Sequence, residues 1–162
     1  MRFLNQCFAV LSTLVLTQGM ACAQAVLSRS TGQSLYLPIY SHIWHGEVNS
    51  DRKPMKSLMS VAVSIRNTDF SNPIQVTSAA YFDTAGRKVR EYVTAPKTIG
   101  PMATHELFVP LSDDAGGSGA NFVIVWKAER ETSQPVVEAI HAALPAGRSI
   151  AFTSSAYVMP PN

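Results

Sequence analysis

Cysteine is almost missing from this chain of 162 residues, and the two present, Cys7 and Cys22, both fall within its first 23 positions. No disulfide framework, thiolate nucleophile or cysteine-ligated metal is therefore expected in the remainder. Charge is also scarce, at 15% of residues, with thirteen basic against eleven acidic side chains. The short basic clusters Arg52, Lys53, Lys56 and Arg87, Lys88, Arg90 are interleaved with acidic and apolar residues, which excludes a nucleic-acid footprint. No stretch has the 3.6-residue periodicity of an amphipathic helix. No internal repeat is visible. The one long apolar run, Phe8 to Leu16, is too short for a membrane span.

That run follows Met1-Arg2 and leads to Ala21-Cys22-Ala23, the basic start, apolar middle and small-x-small site of a secretory signal peptide cut after Ala23. Gly19-Met20-Ala21-Cys22 offers a second reading, a lipoprotein site acylated on Cys22. The organisation expected is a signal peptide over 1–23, a flexible leader over 24–33, one domain over 34–158 and a tail over 159–162.

Leu58 to Asp69 organises the domain. Met59, Val61, Val63 and Ile65 alternate with Ser60, Ala62, Ser64 and Arg66, the period-two pattern of a strand with one face on a core. Leu35 to Tyr40 alternates likewise and extends to Trp44, with Leu35, Leu37, Ile39 and Ile43 on one face and Tyr36, Pro38, Tyr40, His42 and Trp44 on the other. Pro38 lacks a donor, so this strand is placed at a sheet edge or at a bulge. Gly46 to Lys56 reads as a loop. Ile74–Phe82 and Lys88–Val93 flank Asp83-Thr-Ala-Gly-Arg87, a hairpin with a type I turn and a glycine bulge. Pro96 to Pro101 breaks the pattern. Strands follow at His105–Leu111, Asn121–Lys127, Val136–Leu144 and Ser149–Val158, and Asn121–Lys127, apolar on both faces, reads as buried on both. About eight short strands between close turns predict an all-β fold, an antiparallel, immunoglobulin-like β-sandwich.

Tyr40-Ser-His-Ile-Trp-His-Gly46, Ile65-Arg-Asn-Thr-Asp69, Gly116-Gly-Ser-Gly-Ala-Asn-Phe122 followed by Trp126, and Phe152-Thr-Ser154 together resemble the bacterial family known as domain of unknown function three-one-two-four. The resemblance runs from about Leu35 to Val158, with Ala151 and Ala156 standing where the family pattern has Ser and Gly. It implies an exported β-rich domain and no particular chemistry.

Three places could carry function. His42 and His45, with Glu47 and with His105 or His141 from elsewhere, have zinc or copper ligand chemistry. Residues three apart on a strand face opposite sides, so the alternative is a pair of histidines bonded to backbone at a strand end. Asp113 and Asp114 with Gly116, Gly117, Ser118 and Gly119 would suit an anion or calcium, or else a tight crossing that admits Asn121 to the sheet. The stripe Tyr36, Tyr40, His42, Trp44 would bind a sugar, peptide or protein, or would cover the rim of the core. Its edge strand would also offer backbone groups to an added peptide strand.

No nucleophile elbow surrounds Ser41-His42, and Glu129 and Glu131 read as solvent-facing rather than as a glycosidase pair. The function expected is a non-enzymatic, periplasmic or secreted binding module for an envelope protein, peptide or glycan. It needs no cofactor. A periplasmic zinc or copper protein using His42, His45, Glu47 and His105 is the alternative.

Overall fold

The computed structural model describes residues 28–147 and 149–161. Ala21, Cys22 and Ala23, on which export and lipid attachment turn, lie outside the described residues. Twelve strands run in chain order: β1 (Arg29–Ile39), β2 (His42–His45), β3 (Met55–Leu58), β4 (Ser60–Arg66), β5 (Ile74–Phe82), β6 (Lys88–Glu91), β7 (Lys97–Ile99), β8 (Thr104–Val109), β9 (Ala120–Ser133), β10 (Val136–Ala143), β11 (Ile150–Ser155) and β12 (Tyr157–Val158). The larger sheet has the order β12-β1-β9-β5-β6, with β7 also on β5. The smaller has the order β11-β10-β4-β8, and β2 with β3 forms a separate hairpin. All pairings are antiparallel, as a chain without crossover helices requires.

The alternation of β4 is realised in full. Val61, Val63 and Ile65 are completely buried, and so is Met59 just before them. Val61, Val63 and Ile65 meet Leu35, Leu37 and Ile39 of β1, Ile74, Val76 and Tyr81 of β5, and Phe122, Ile124 and Trp126 of β9 in one core shared by both sheets. Two sheets that each bury one face against the other form a sandwich. The Tyr81 and Phe122 rings stack at 5.0 Å, and Tyr92 meets both edge-on.

Several expectations are corrected. β1 begins at Arg29, inside the stretch assigned to a leader, because Arg29 and Ser30 pair with Ser133 and Thr132. Met55 and Lys56 leave the expected loop and, with Ser57 and Leu58, pair with β2, and Lys97–Ile99 pairs with β5 where a break was expected. Val123 and Val125 are half-exposed, since among the described residues no third layer covers the outer face of the larger sheet. The stretch Ser149–Val158 is two strands in different sheets. β11 belongs to the smaller sheet, and the chain crosses at Ala156 to lay β12 on β1.

The Asp83 turn has the expected form. Asp83 Oδ1 accepts the N–H groups of Ala85 and Arg87, Gly86 adopts φ +76°, and the ladder shifts register between Tyr81 and Phe82.

Candidate functional site

The aromatic stripe is not one surface, because the chain turns at Tyr40-Ser41. Ser41 is held there by the distant glycine loop: its N–H and Oγ both donate to the Gly117 carbonyl, and its Oγ accepts the Gly117 N–H at 2.9 Å. The turn leaves Tyr36 on the outer face of the larger sheet opposite Tyr157, while His42 swings inward to 7% exposure. Trp44 remains half-exposed on the β2–β3 hairpin, edge-on to His42 at 4.9 Å. Burial, then Lys56, lowers the His42 pKa, and Asp114 opposes them.

Tyr40 follows β1 at the seam between the sheets. Its ring meets His141 and Phe152 edge-on at 5.5 and 5.6 Å, and those two rings stack at 4.6 Å. The Tyr40 N–H donates to His141 Nε2 at 3.2 Å, so the neutral ring carries its proton on Nδ1. Burial holds the His141 pKa down at about 4, with the Phe152 backbone opposing, and no acceptor in hydrogen-bonding geometry meets Nδ1. Above this floor lies a groove of about 440 Å³ between Pro38, Tyr40 and Ile43 on one side and β11 with Tyr157 on the other. Its volume falls within the range of ligand sites, about 300–1,000 Å³. Thr153 and Ser155 add hydroxyls, and among the described residues no charged side chain lines it.

The metal candidates are not brought together. His45 Nε2 is 2.8 Å from Ser57 Oγ, and Glu47 is exposed in the following loop. His42 lies opposite Leu58, whereas His105 lies opposite Ile65, seven residues farther along the chain or roughly 20 Å at strand rise. His141 has spent Nε2 on Tyr40. Among the described residues no three histidine, aspartate or glutamate side chains form a metal-holding group.

The glycine loop is a crossing. A Cβ on Gly116 would strike the Tyr81 phenol and the Ala120 methyl, so the chain passes there only without a side chain. Gly117 adopts φ +81°, and its N–H goes to Ser41 while that of Gly119 goes to Thr84 Oγ1. These donors are therefore not free for an anion. Asp114 pairs with Lys56 and Asp113 with Arg90, which removes the pair of carboxylates a calcium ion would need. Ser118 is half-buried in the same turn, and Asn121 is half-buried opposite Pro38 and Phe82.

Of the predicted surface residues, Tyr40 alone lines the groove. Phe152, Pro38, Ile43 and Tyr157 complete its lining above the buried His141, and the sequence signal for Phe152 and Tyr157 is the uncharged stretch Ile150 to Val158, which does not disclose the crossing at Ala156.

The chain is thus an all-β sandwich domain with an uncharged aromatic groove at one lateral seam. It belongs to the family described as "Protein of unknown function (DUF3124)", which matches residues 32–159. A solved structure titled "Crystal Structure of Thermotoga maritima 1070" is similar at 10% identity and a TM-score of 0.40, over 77% of this chain and 92% of that one. No curated protein matches. Among the described residues no helix is long and apolar enough to cross a membrane.

Proposed function

We propose that this domain is a non-enzymatic interaction module of the bacterial envelope, exported through residues 1–23, and that it binds a partner in the groove between Tyr40 and Tyr157. The observation that carries this reading is the groove itself, whose aromatic walls rest on a rigid floor of stacked His141 and Phe152. Aromatic rings provide large contact area at low entropic cost, and a preformed floor lowers the cost of binding further. The imidazole nearest the groove is fully buried and already bonded, so it supports positioning rather than proton transfer.

Capture from envelope extract by the purified exported chain tests the proposal. Tyr40→Ala combined with Tyr157→Ala is expected to lose a partner that the parent chain retains. Identical capture by both chains would overturn it. The mass of the exported protein decides between cleavage after Ala23 and a lipid on Cys22.

A further inference from the structure

Building on that groove, the backbone register identifies what fits beside it. Ala156 donates to the Val137 carbonyl at 3.0 Å, which makes these two a hydrogen-bonded pair of the β10–β11 ladder. Such pairs alternate along an antiparallel ladder, so Ile150, Phe152 and Ser154 spend their backbone groups on β10. Ala151, Thr153 and Ser155 therefore direct N–H and C=O away from the sheet, and among the described residues no strand lies on that side.

The other long edges are guarded. On β1, Ser34 accepts from Met159, Tyr36 pairs with Tyr157, and Tyr40 donates to His141. Between them Pro38 has no N–H, and its carbonyl is taken by Ser154 Oγ at 2.7 Å. The expectation of strand addition at this first edge is thereby corrected. On β8 the Asn67–Ala103 bond sets the phase, so that Glu106 stands in the middle of the outward-directed groups, a charge that repels a like neighbour. β11 has no such protection. Ile150 to Ser155 contains no charge, proline or glycine, a composition that natural sheets leave on an edge only where something covers it. Tyr40, Ile43 and Tyr157 line the groove that runs beside it, an uncharged surface for the side chains of an extended segment.

We propose that the open edge of β11 takes up an extended, uncharged polypeptide segment as an additional antiparallel or parallel strand, main chain on Ala151, Thr153 and Ser155 and alternate apolar side chains against Tyr40 and Tyr157. Backbone pairing supplies affinity, and the aromatic wall selects the side chains. The absence of lining charge excludes acidic and basic segments.

A phage-displayed library of random linear dodecapeptides, selected on the exported chain, is the probe. Uncharged peptides with alternating apolar residues are expected to be enriched. Their affinity should fall about tenfold or more in Thr153→Pro, which removes an outward N–H and no bond to β10. N-methylation of alternate peptide amides should produce the same loss with the protein unchanged, which keeps the test valid if Thr153→Pro misfolds. Failure to enrich any linear peptide overturns strand addition. Peptides weakened by Tyr40→Ala but indifferent to both backbone changes overturn it too, while leaving the groove reading intact; peptides indifferent to all three remove both. A concentration-dependent dimer abolished by Thr153→Pro would assign the edge to a second copy and overturn the peptide assignment.

Discussion

Two histidines at the residue scale lead to opposite experiments. The buried His141 must stay neutral to accept the Tyr40 N–H, and its pKa of about 4 lies below the ordinary 6.5. On acidification the unfolded chain therefore takes up this proton first. The stabilisation is complete above about pH 6.5 and is lost as pH falls toward 4, about 3 kcal/mol in all. His42 and His105, also lowered by burial, act in the same direction. Urea unfolding at pH 7 and pH 4.5 should show the loss, and His141→Phe should flatten most of it. The same variant should cost about 1–3 kcal/mol at pH 7, because it leaves the Tyr40 N–H without an acceptor. An undiminished pH slope in His141→Phe would refute this role. His45, by contrast, is tied to Ser57, and His105 is distant, so micromolar zinc or copper should leave the thermal midpoint of the purified chain unchanged. A midpoint that rises with metal and no longer does so in His42→Ala would reinstate the metal reading.

Elements here are held by side chains that reach across long stretches of sequence. The glycine loop fastens the Tyr40-Ser41 turn to the Asp83 turn through Ser41 and Thr84, and Gly116 sits against Tyr81 where no methyl fits. Gly116→Ala is expected to cost at least about 1–3 kcal/mol by overpacking. Gly100, with open space around its Cβ position and no positive φ, makes the contrast: Gly100→Ala should be neutral or stabilising by up to about 1 kcal/mol. Equal midpoints for the two variants in thermal unfolding would contradict the crossing. At the opposite end, Asn67 Nδ2 donates to the carbonyls of Asn72, Ile99 and Gly100, while Asp69 gathers the N–H groups of Ser71, Asn72 and Ser133. Those bonds lower the Asp69 pKa to about 2, so its contribution is retained down to about pH 4 and lost below. What was legible at this scale follows from burial. β4 buries one face on a core, and alternation records that directly, whereas in β5 the register shift between Val76 and Ser78 moves the buried set from Ile74 and Val76 to Ala79 and Tyr81. β3 and β7 are four and three residues long and carry no apolar alternation, so only their partner strands create them. The alternation from Tyr36 to Trp44 misled because polarity continues through Ser41 while the backbone turns, under the pull of Gly117, 76 positions away.

At the scale of the molecule, composition and turn spacing disclosed an all-β chain, whereas the groove unites residues 38–43 with residues 152–157, a juxtaposition that no local pattern encodes. The same topology governs folding. Among the described residues β1 pairs with β9 and β12 alone, so one side of the larger sheet forms only once the second half of the chain is present. Such non-local pairing places the main refolding phase in the millisecond-to-second range. β12 is the last piece in chain order, two residues long, and both side chains stay exposed. Its contribution is therefore mainly backbone, its two-residue pairing with β1 and the Met159 bond to Ser34, about 1–3 kcal/mol. A strand so short, added to an edge already built on β9, contributes little to the transition state. Ending the chain at Ala156 should thus leave the main refolding rate nearly unchanged and speed unfolding by roughly five- to 150-fold. Stopped-flow measurement of both limbs checks this: refolding slowed as much as unfolding is quickened would show that β12 docks during the rate-limiting step, with the seam formed early rather than closed last.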